Sequence, residues 1–114
     1  MNQHQLSIEQ AASILKLLAD KTRLTIVKLL EHQDCCVCEF VEVFQVSQPS
    51  ISQHLRKLRD AGIVKEERRG QWIFYSMNTD NRVFPFIKHV LSQLPNQEEK
   101  LIALEKSGKR ISCC

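Results

Sequence analysis

The sequence predicts a mainly α-helical fold that carries one β-hairpin. Apolar residues recur at helical spacing along most of the chain, and one glycine precedes a short run of aromatic and β-branched residues. Of the 114 residues, 43% are hydrophobic. That is enough for one modest core, so we expect a single domain over residues 1–114.

Two helices are predicted at the start of the chain. An apolar stripe that begins at Leu6 indicates an amphipathic helix ending near Asp20. Asp20 is expected to cap a second helix over residues 21–32. Because this second helix is apolar on nearly all sides, it should lie at the centre of the core.

Residues 47–62 have well-marked helix ends. Ser47 can cap the N-terminus, Pro49 falls in the first turn, and Gly62 supplies a left-handed stop. A preceding helix over about residues 35–44 is joined to it by the short connection Gln45-Val46-Ser47. Two short helices joined in this way form a helix-turn-helix, here over about residues 35–61.

The helix over residues 47–62 has a narrow apolar stripe formed by Ile51, Leu55 and Leu58. Taken alone, this pattern is more typical of an ordinary amphipathic surface helix. Its other faces carry amide, hydroxyl and cationic groups, which are the groups that read base edges and bind phosphates. The candidate DNA contacts are Gln48, Pro49, Ser50, Ser52, Gln53, His54, Arg56 and Lys57.

A β-hairpin is predicted over about residues 63–77, with its turn at residues 69–71. A hairpin directly after a helix-turn-helix is a wing. We expect Arg68 and Arg69 to reach the phosphates or the minor groove beside the helix over residues 47–62, which is the recognition helix of the helix-turn-helix. The aromatic residues that should anchor the wing to the core are Trp72, Phe74 and Tyr75.

The net charge is concentrated in this part of the chain. Residues 47–71 hold six cations and three anions, whereas the remainder holds ten of each sign. All of the formal net charge of +3 therefore lies in the recognition helix and the wing. This distribution is typical of a nucleic-acid contact surface.

The C-terminal part is expected to serve in dimerisation. A strongly apolar helix over about residues 81–94 should pair with the first helix across a two-fold interface. Asn96 and Glu99 resemble a capping box that opens a last helix ending near Lys106, with Gly108 as its stop. The tail, about residues 107–114, has no structural pattern of its own.

Five cysteines are present, three as a cluster at Cys35, Cys36 and Cys38 and two at Cys113 and Cys114. No leader or membrane-spanning pattern is visible, so we expect a cytoplasmic protein. In that compartment cysteines favour metal or redox chemistry over structural disulfides.

The order and spacing of three segments resemble the ArsR/SmtB family of metal-responsive winged helix-turn-helix repressors. These segments are LADKTRLTIVKLL at residues 18–30, CVCE at residues 36–39 and SQPSISQHL at residues 47–55. The resemblance covers about residues 6–94. Lys21 stands where the family usually has proline.

The resemblance implies a homodimer that binds a palindromic operator and is released by metal. It also implies that Cys36 and Cys38 are the thiolate pair of the arsenic, cadmium and lead responsive branch. Arsenic-responsive relatives often have a third cysteine at the position of Val41, so Cys35, Cys113 and Cys114 are the candidates for a third ligand. We expect As(III) or Sb(III) as the inducer, with Cd(II) or Pb(II) as the alternative.

The family also has a metal site on its C-terminal dimer helix. Here only Asp80 and His89 could contribute to it, and Arg82 stands where a histidine would follow, so we expect that site to be absent.

In a regular helix, residues two apart point about 200° away from each other. We therefore expect Cys36 and Cys38 to share an ion only if the first turn of their helix unwinds.

Three other functions fit the same residues. Cys35 and Cys38 form a C-x-x-C pair, but no strand-helix unit typical of a thiol oxidoreductase precedes it, and we expect no enzymatic activity. A repressor that senses oxidants through disulfide formation is a closer alternative. A winged helix that mediates only protein contacts is the third.

Overall fold

The computed structural model describes residues 6–107 of the chain. Six helices and one three-stranded sheet make up this part, in agreement with the predicted mainly α-helical class. The helices are α1 (Ile8–Leu18), α2 (Lys21–Leu30), α3 (Val37–Phe44), α4 (Gln48–Asp60), α5 (Phe84–Leu91) and α6 (Glu98–Ser107). The strands are β1 (Cys35–Cys36), β2 (Val64–Arg69) and β3 (Trp72–Met77).

Helices α1 and α2 begin at side-chain caps. Ser7 and Gln10 form a reciprocal capping box that opens α1. The Asp20 carboxylate accepts a hydrogen bond of 3.0 Å from the Arg23 backbone N–H, which confirms Asp20 as the cap of α2. Both helices end about two residues earlier than the periodicity predicted.

The predicted hairpin is confirmed, but its sheet has a third strand that the sequence did not indicate. Strands β2 and β3 pair antiparallel from Val64 opposite Met77 to Arg69 opposite Trp72. Strand β1 pairs antiparallel with the other edge of β3, with Cys35 opposite Tyr75 and Cys36 opposite Phe74. The strand order is therefore β1-β3-β2.

The prediction that Cys35 and Cys36 belong to a helix is wrong. Cys36 has an extended backbone, with φ −91° and ψ 163°, and it is the N-cap of α3 rather than part of it. The physical reason is the free edge of β3, which offers backbone hydrogen-bond partners to residues 35 and 36.

The core is centred on α2, as predicted. Its Ile26, Val27 and Leu29 are completely buried, and they pack with the apolar stripe of α4 and with Phe40 of α3. Helix α6 packs against α3 and buries Leu101 and Leu104. The C-terminal part of the described chain therefore lies beside the helix that follows Cys36.

Helix α5 is shorter than the predicted range of residues 81–94. The Asn81 side chain accepts a hydrogen bond from the Val83 N–H and donates one to the Gly62 carbonyl, which holds residues 78–83 in turns. At the other end of α5, the buried Lys28 ammonium donates to the Leu91 carbonyl at 2.9 Å. Gly108, the predicted stop of α6, lies outside the described residues.

No helix within residues 6–107 is long and apolar enough to cross a membrane.

Candidate DNA interface and thiol site

Both ends of α4 are fixed by the interactions that the sequence predicted. The Ser47 hydroxyl accepts a hydrogen bond of 3.3 Å from the Ser50 N–H, and Pro49 lies in the first turn. At the other end, Gly62 has φ 78° and donates to the Arg59 carbonyl, while Ile63 donates to the Leu58 carbonyl. This pair of bonds is a Schellman motif, which ends the helix sharply.

The outer face of α4 is open to solvent. Gln48, Pro49, Gln53, Arg56 and Lys57 are exposed, whereas Ser50 and Ser52 are half-buried. Among the side chains described, those of residues 6–104, no carboxylate lies within 4 Å of Arg56 or Lys57. The two cations are thus available to phosphates, while Ile51, Leu55 and Leu58 attach the helix to the core.

His54 differs from the other polar residues of α4 because it faces α2. Its Nδ1 lies 3.2 Å from a guanidinium nitrogen of Arg23. A guanidinium can only donate, so Nδ1 must be the acceptor and the proton of a neutral ring is on Nε2. Arg23 also donates to the Leu17 carbonyl at 2.7 Å, and it therefore connects the end of α1 to the recognition helix.

Arg23 was not singled out by the sequence reasoning, although it belongs to the motif of residues 18–30. Its backbone N–H, bonded to the Asp20 carboxylate, holds the pKa of Asp20 below the usual value, and partial burial opposes this effect. The same residue thus completes the cap of α2 and positions His54.

The two predicted wing cations are held differently. The Arg68 side chain is exposed and donates to the Gly70 carbonyl at 3.1 Å. The Arg69 guanidinium binds the carboxylates of Asp34, at 2.7 Å, and Glu67, and it lies 4.6 Å from the centre of the Phe74 ring. The Arg69 side chain therefore extends over Phe74 of β3 towards Asp34, which precedes β1.

A second polar network joins the wing to α4. Arg59, near the end of α4, contacts the Glu66 carboxylate at 3.1 Å, and the Tyr75 hydroxyl donates to the other oxygen of Glu66 at 2.7 Å. Burial, together with this hydrogen bond, raises the pKa of Tyr75 to about 12. No sequence pattern indicated this network, because it depends on the register of β2 against β3. The expected anchoring is strongest at Tyr75, whereas Trp72 and Phe74 are half-buried.

The structure brings Cys36 and Cys38 together. Their sulfurs are 3.2 Å apart, which is longer than the bond of about 2.05 Å in a disulfide. Two thiolates that share one ion at about 2.3 Å each lie roughly 3 to 4 Å apart. The pair is thus already spaced for one soft ion. The expectation that α3 must first unwind is wrong, because Cys36 precedes the helix.

The pair lies at the N-terminus of α3. Glu39, in the first turn, is buried, and its carboxylate accepts a hydrogen bond of 2.8 Å from the Cys36 N–H. Cys36 is 1% exposed, and Cys38 is half-buried. A helix N-terminus favours the thiolate form of cysteine, which is the form that binds soft metals.

Cys35 is separated from this pair. It is completely buried among apolar residues, and its sulfur lies 3.6 Å from the Gln33 carbonyl. Neighbouring residues in a strand point to opposite faces, which explains why Cys35 and Cys36 diverge. Within residues 6–104, whose side chains the structure describes, no three His, Cys, Asp or Glu side chains are grouped as a metal site. Cys113 and Cys114 lie outside this range.

The residues considered for a second metal site are on the surface. The Asp80 side chain is highly exposed and lies 3.9 Å from the Lys65 ammonium, and His89 is exposed on α5. The absence of a metal site here stays a prediction.

The helix-turn-helix of α3 and α4, followed directly by a β-hairpin, defines a winged helix-turn-helix protein. Residues 20–66 match the family model described as bacterial regulatory protein, arsR family. The chain is 42% identical over 106 residues to the arsenical resistance operon repressor of Escherichia coli, a match that covers 88% of this chain and 86% of the relative. It belongs to the ArsR family, whose members are DNA-binding transcriptional regulators and not enzymes.

Two other proteins illustrate the range of the similarity. An uncharacterized HTH-type transcriptional regulator of Methanocaldococcus jannaschii is 47% identical over 83 residues, which is 72% of this chain and 92% of the relative. A homodimeric winged helix-turn-helix DNA-binding domain from Mycobacterium bovis superposes with a TM-score of 0.62 at 25% identity, covering 75% of this chain and 82% of that one.

Proposed function

We propose that this protein is a transcriptional repressor that leaves its operator when As(III) or Sb(III) binds the thiolates of Cys36 and Cys38. The observation that carries this proposal is the 3.2 Å between the two sulfurs at the start of α3, the first helix of the helix-turn-helix. The name of the Escherichia coli relative, an arsenical resistance operon repressor, supports a metalloid inducer.

DNA binding in this proposal uses the outer face of α4 and the wing. The exposed residues Gln48, Pro49, Gln53, Arg56 and Lys57 would enter the major groove, with Ser50, Ser52 and His54 at its margins. Arg68 and Arg69 would contact the backbone or the minor groove. His54 would also position α4 through Arg23.

The third ligand of a trigonal As(III) ion would come from Cys113 or Cys114. Cys35 is a poor candidate because its side chain is buried in the apolar core. Leu104 of α6 is buried on the side of α3, and the nine residues from there to Cys113 can span about 30 Å at most. Because α6 packs against α3, that length is sufficient for a tail thiol to reach α3 of the same subunit.

The position of Cys36 explains how an ion could lower DNA affinity. This residue pairs with Phe74 of the wing sheet and also caps α3. An ion that draws its sulfur towards a third thiolate therefore acts on both supports of the recognition helix. A differential of about 3 kcal/mol between the two conformations changes operator affinity by about two decades.

The functional unit would be a homodimer on a palindromic operator. On α1, Ile8 is 82% exposed and Leu15 is 48% exposed. An exposed apolar stripe on a helix beside the core is typical of a subunit contact, and the Mycobacterium bovis domain is homodimeric. We propose that α1 and α5 form the two-fold interface.

Two other kinds of inducer, other soft metal ions and oxidants, fit the same sulfurs. Cd(II) and Pb(II) are also soft ions that bind thiolates. The 3.2 Å separation also suits oxidation, in which a peroxide takes two electrons and two protons from the thiols, leaving a disulfide and two waters. A redox-sensing repressor is therefore the second candidate.

The test is a series of binding measurements on a palindromic fragment from the protein's own promoter. Wild type, Cys36→Ser and Cys35→Ser are titrated with As(III), Cd(II), Pb(II) and Zn(II) under reducing conditions, and separately with peroxide. We expect As(III) to release the wild type and Cys35→Ser, while Cys36→Ser keeps DNA binding and is not released. Release of Cys36→Ser at the wild-type As(III) concentration would refute the proposed site, and release by peroxide alone would favour redox sensing.

A further inference from the structure

One ion pair joins the tip of the wing, residues 69–72, to the cysteine segment, residues 34–38. Asp34 is the residue before Cys35 and β1, and Arg69 is the last residue of β2. Their carboxylate and guanidinium are 2.7 Å apart, and both side chains are about two-fifths exposed. This contact links the residue beside the thiols to a cation that was predicted to bind DNA.

Arg69 has further partners on the same sheet. It binds the Glu67 carboxylate, and its guanidinium lies over the ring of Phe74. Phe74 is the residue of β3 that pairs with Cys36. Arg69 is thus held in place by two anions and one aromatic ring, and of these Asp34 and Phe74 are next to the cysteines in sequence or in the sheet. The neighbouring Arg68 has no carboxylate within 4 Å among the described side chains of residues 6–104.

We propose that Asp34 is a positioning residue that withholds Arg69 from the operator, and that it conveys movement of the cysteine segment to the wing. The restraint of Arg69 by Asp34 does not depend on the proposed inducer. The role of Asp34 in conveying movement rests on the proposed function. A guanidinium bound to two carboxylates has fewer donors left for a phosphate, so DNA must compete with Asp34 for Arg69.

The magnitude of this competition follows from the exposure of the pair. Exposed ion pairs contribute little, so removing the Asp34 carboxylate should tighten operator binding by about fivefold or less. The salt dependence of operator affinity is a more specific indicator. Each additional phosphate contact makes the dependence of log affinity on log salt steeper by about 0.9.

The experiment compares Asp34→Asn with Asp80→Asn, using operator binding across a range of salt concentrations. Asp80 is the matched control because it loses the same charge near the wing but contacts Lys65 and not Arg69. We expect Asp34→Asn to bind more tightly than Asp80→Asn and with a steeper salt dependence. Equal affinities and equal slopes for the two variants would overturn the inference.

A double variant tests whether the effect acts through Arg69. In an Arg69→Ala background, Asp34→Asn should change affinity no more than Asp80→Asn does. If Asp34→Asn still tightens binding selectively in that background, Arg69 is not the residue that Asp34 restrains. Thermal unfolding of each variant confirms that the comparison is made between folded proteins.

The link to the thiols is tested with arsenite. We expect the ratio of operator affinities without and with arsenite to be smaller for Asp34→Asn than for the wild type. An unchanged ratio would refute the role of Asp34 in conveying movement. If arsenite fails to release the wild type, the proposed function fails, and the salt experiment still decides whether Asp34 withholds Arg69.

Discussion

The recognition helix and the wing both carry cations, but they hold them in different ways. On α4, Arg56 and Lys57 are exposed, and none of the carboxylates described between residues 6 and 104 lies within 4 Å of either one. On the wing, Arg69 is bound by Asp34 and Glu67. The difference suggests a division of tasks, in which α4 supplies binding energy and the wing is the part whose contribution can be adjusted.

The largest effect is expected where α4 is attached to the core. Leu58→Ala removes a completely buried side chain from the apolar stripe of α4. The cavity should lower the free energy of unfolding by about 2–5 kcal/mol, measured by urea denaturation. Ile102→Ala, at a side chain of α6 that is 41% exposed, is the control and should cost far less. Similar losses for both variants would show that α4 is not rigidly seated.

The next largest effect is expected on operator affinity when single cations of α4 and of the wing are removed. Arg56→Ala and Lys57→Ala should each weaken operator binding by about tenfold, because each loses a charge-assisted bond to a phosphate. Arg69→Ala should weaken binding less, because its guanidinium already has partners in the free protein. Titrations of labelled operator at fixed salt give the three affinities. If Arg69→Ala lowers operator affinity more than Arg56→Ala does, the wing and not α4 supplies most of the binding energy.

The third comparison concerns the two glycines that bound β2 and its turn. Gly62 and Gly70 both have positive φ, 78° and 65°, which a side chain disfavours by about 1–2 kcal/mol. A Cβ at Gly62 would also lie 2.3 Å from the Asn81 amide nitrogen, whereas none of the described atoms lies within 4 Å at Gly70. Gly62→Ala should therefore destabilise more than Gly70→Ala in thermal unfolding, and equal losses would contradict this.

The smallest effect concerns the network between α4 and the wing. Tyr75→Phe removes the hydrogen bond to Glu66 and should cost about 1 kcal/mol at neutral pH. The pKa of Tyr75 is raised from 10 to about 12 on folding, so the unfolded chain loses this proton first as pH rises. The stability that Tyr75 contributes is present below pH 10 and declines between pH 10 and about 12.

Two measurements check this prediction. Tyr75 is the only tyrosine of the chain, so its ionisation can be followed directly by ultraviolet absorbance. Denaturation at pH 8 and pH 11 should show a larger loss of stability in the wild type than in Tyr75→Phe. A tyrosine that ionises near pH 10 in the folded protein would show that the network is not formed.

The sequence predicted α4 well because everything that defines it is local. Ser47, Pro49 and Gly62 fix its ends, and the stripe of Ile51, Leu55 and Leu58 fixes its orientation. The wing was predicted for the same reason, since a two-residue turn containing Gly70 separates paired strands. Features that depend on residues close in sequence were therefore predicted with nearly correct boundaries.

The cysteine segment was predicted incorrectly because its conformation depends on a distant partner. Cys35 and Cys36 become a strand by pairing with Tyr75 and Phe74, about forty residues further along the chain, and no periodicity of the segment itself indicates this. The same limit applies to the ion pair of Asp34 with Arg69. The resemblance to the family identified Cys36 and Cys38 as a pair, whereas only the fold shows that their sulfurs are adjacent.

The junction between α4 and β2 has a consequence for the kind of DNA that this protein can select. Only Ala61, Gly62 and Ile63 separate the two elements, and the Schellman bonds together with the contact of Arg59 with Glu66 leave no hinge between them. The distance and the angle between α4 and the wing are therefore fixed. Operators that share the same base contacts but differ in groove width should therefore bind with different affinities, because the double helix has to deform to fit the protein.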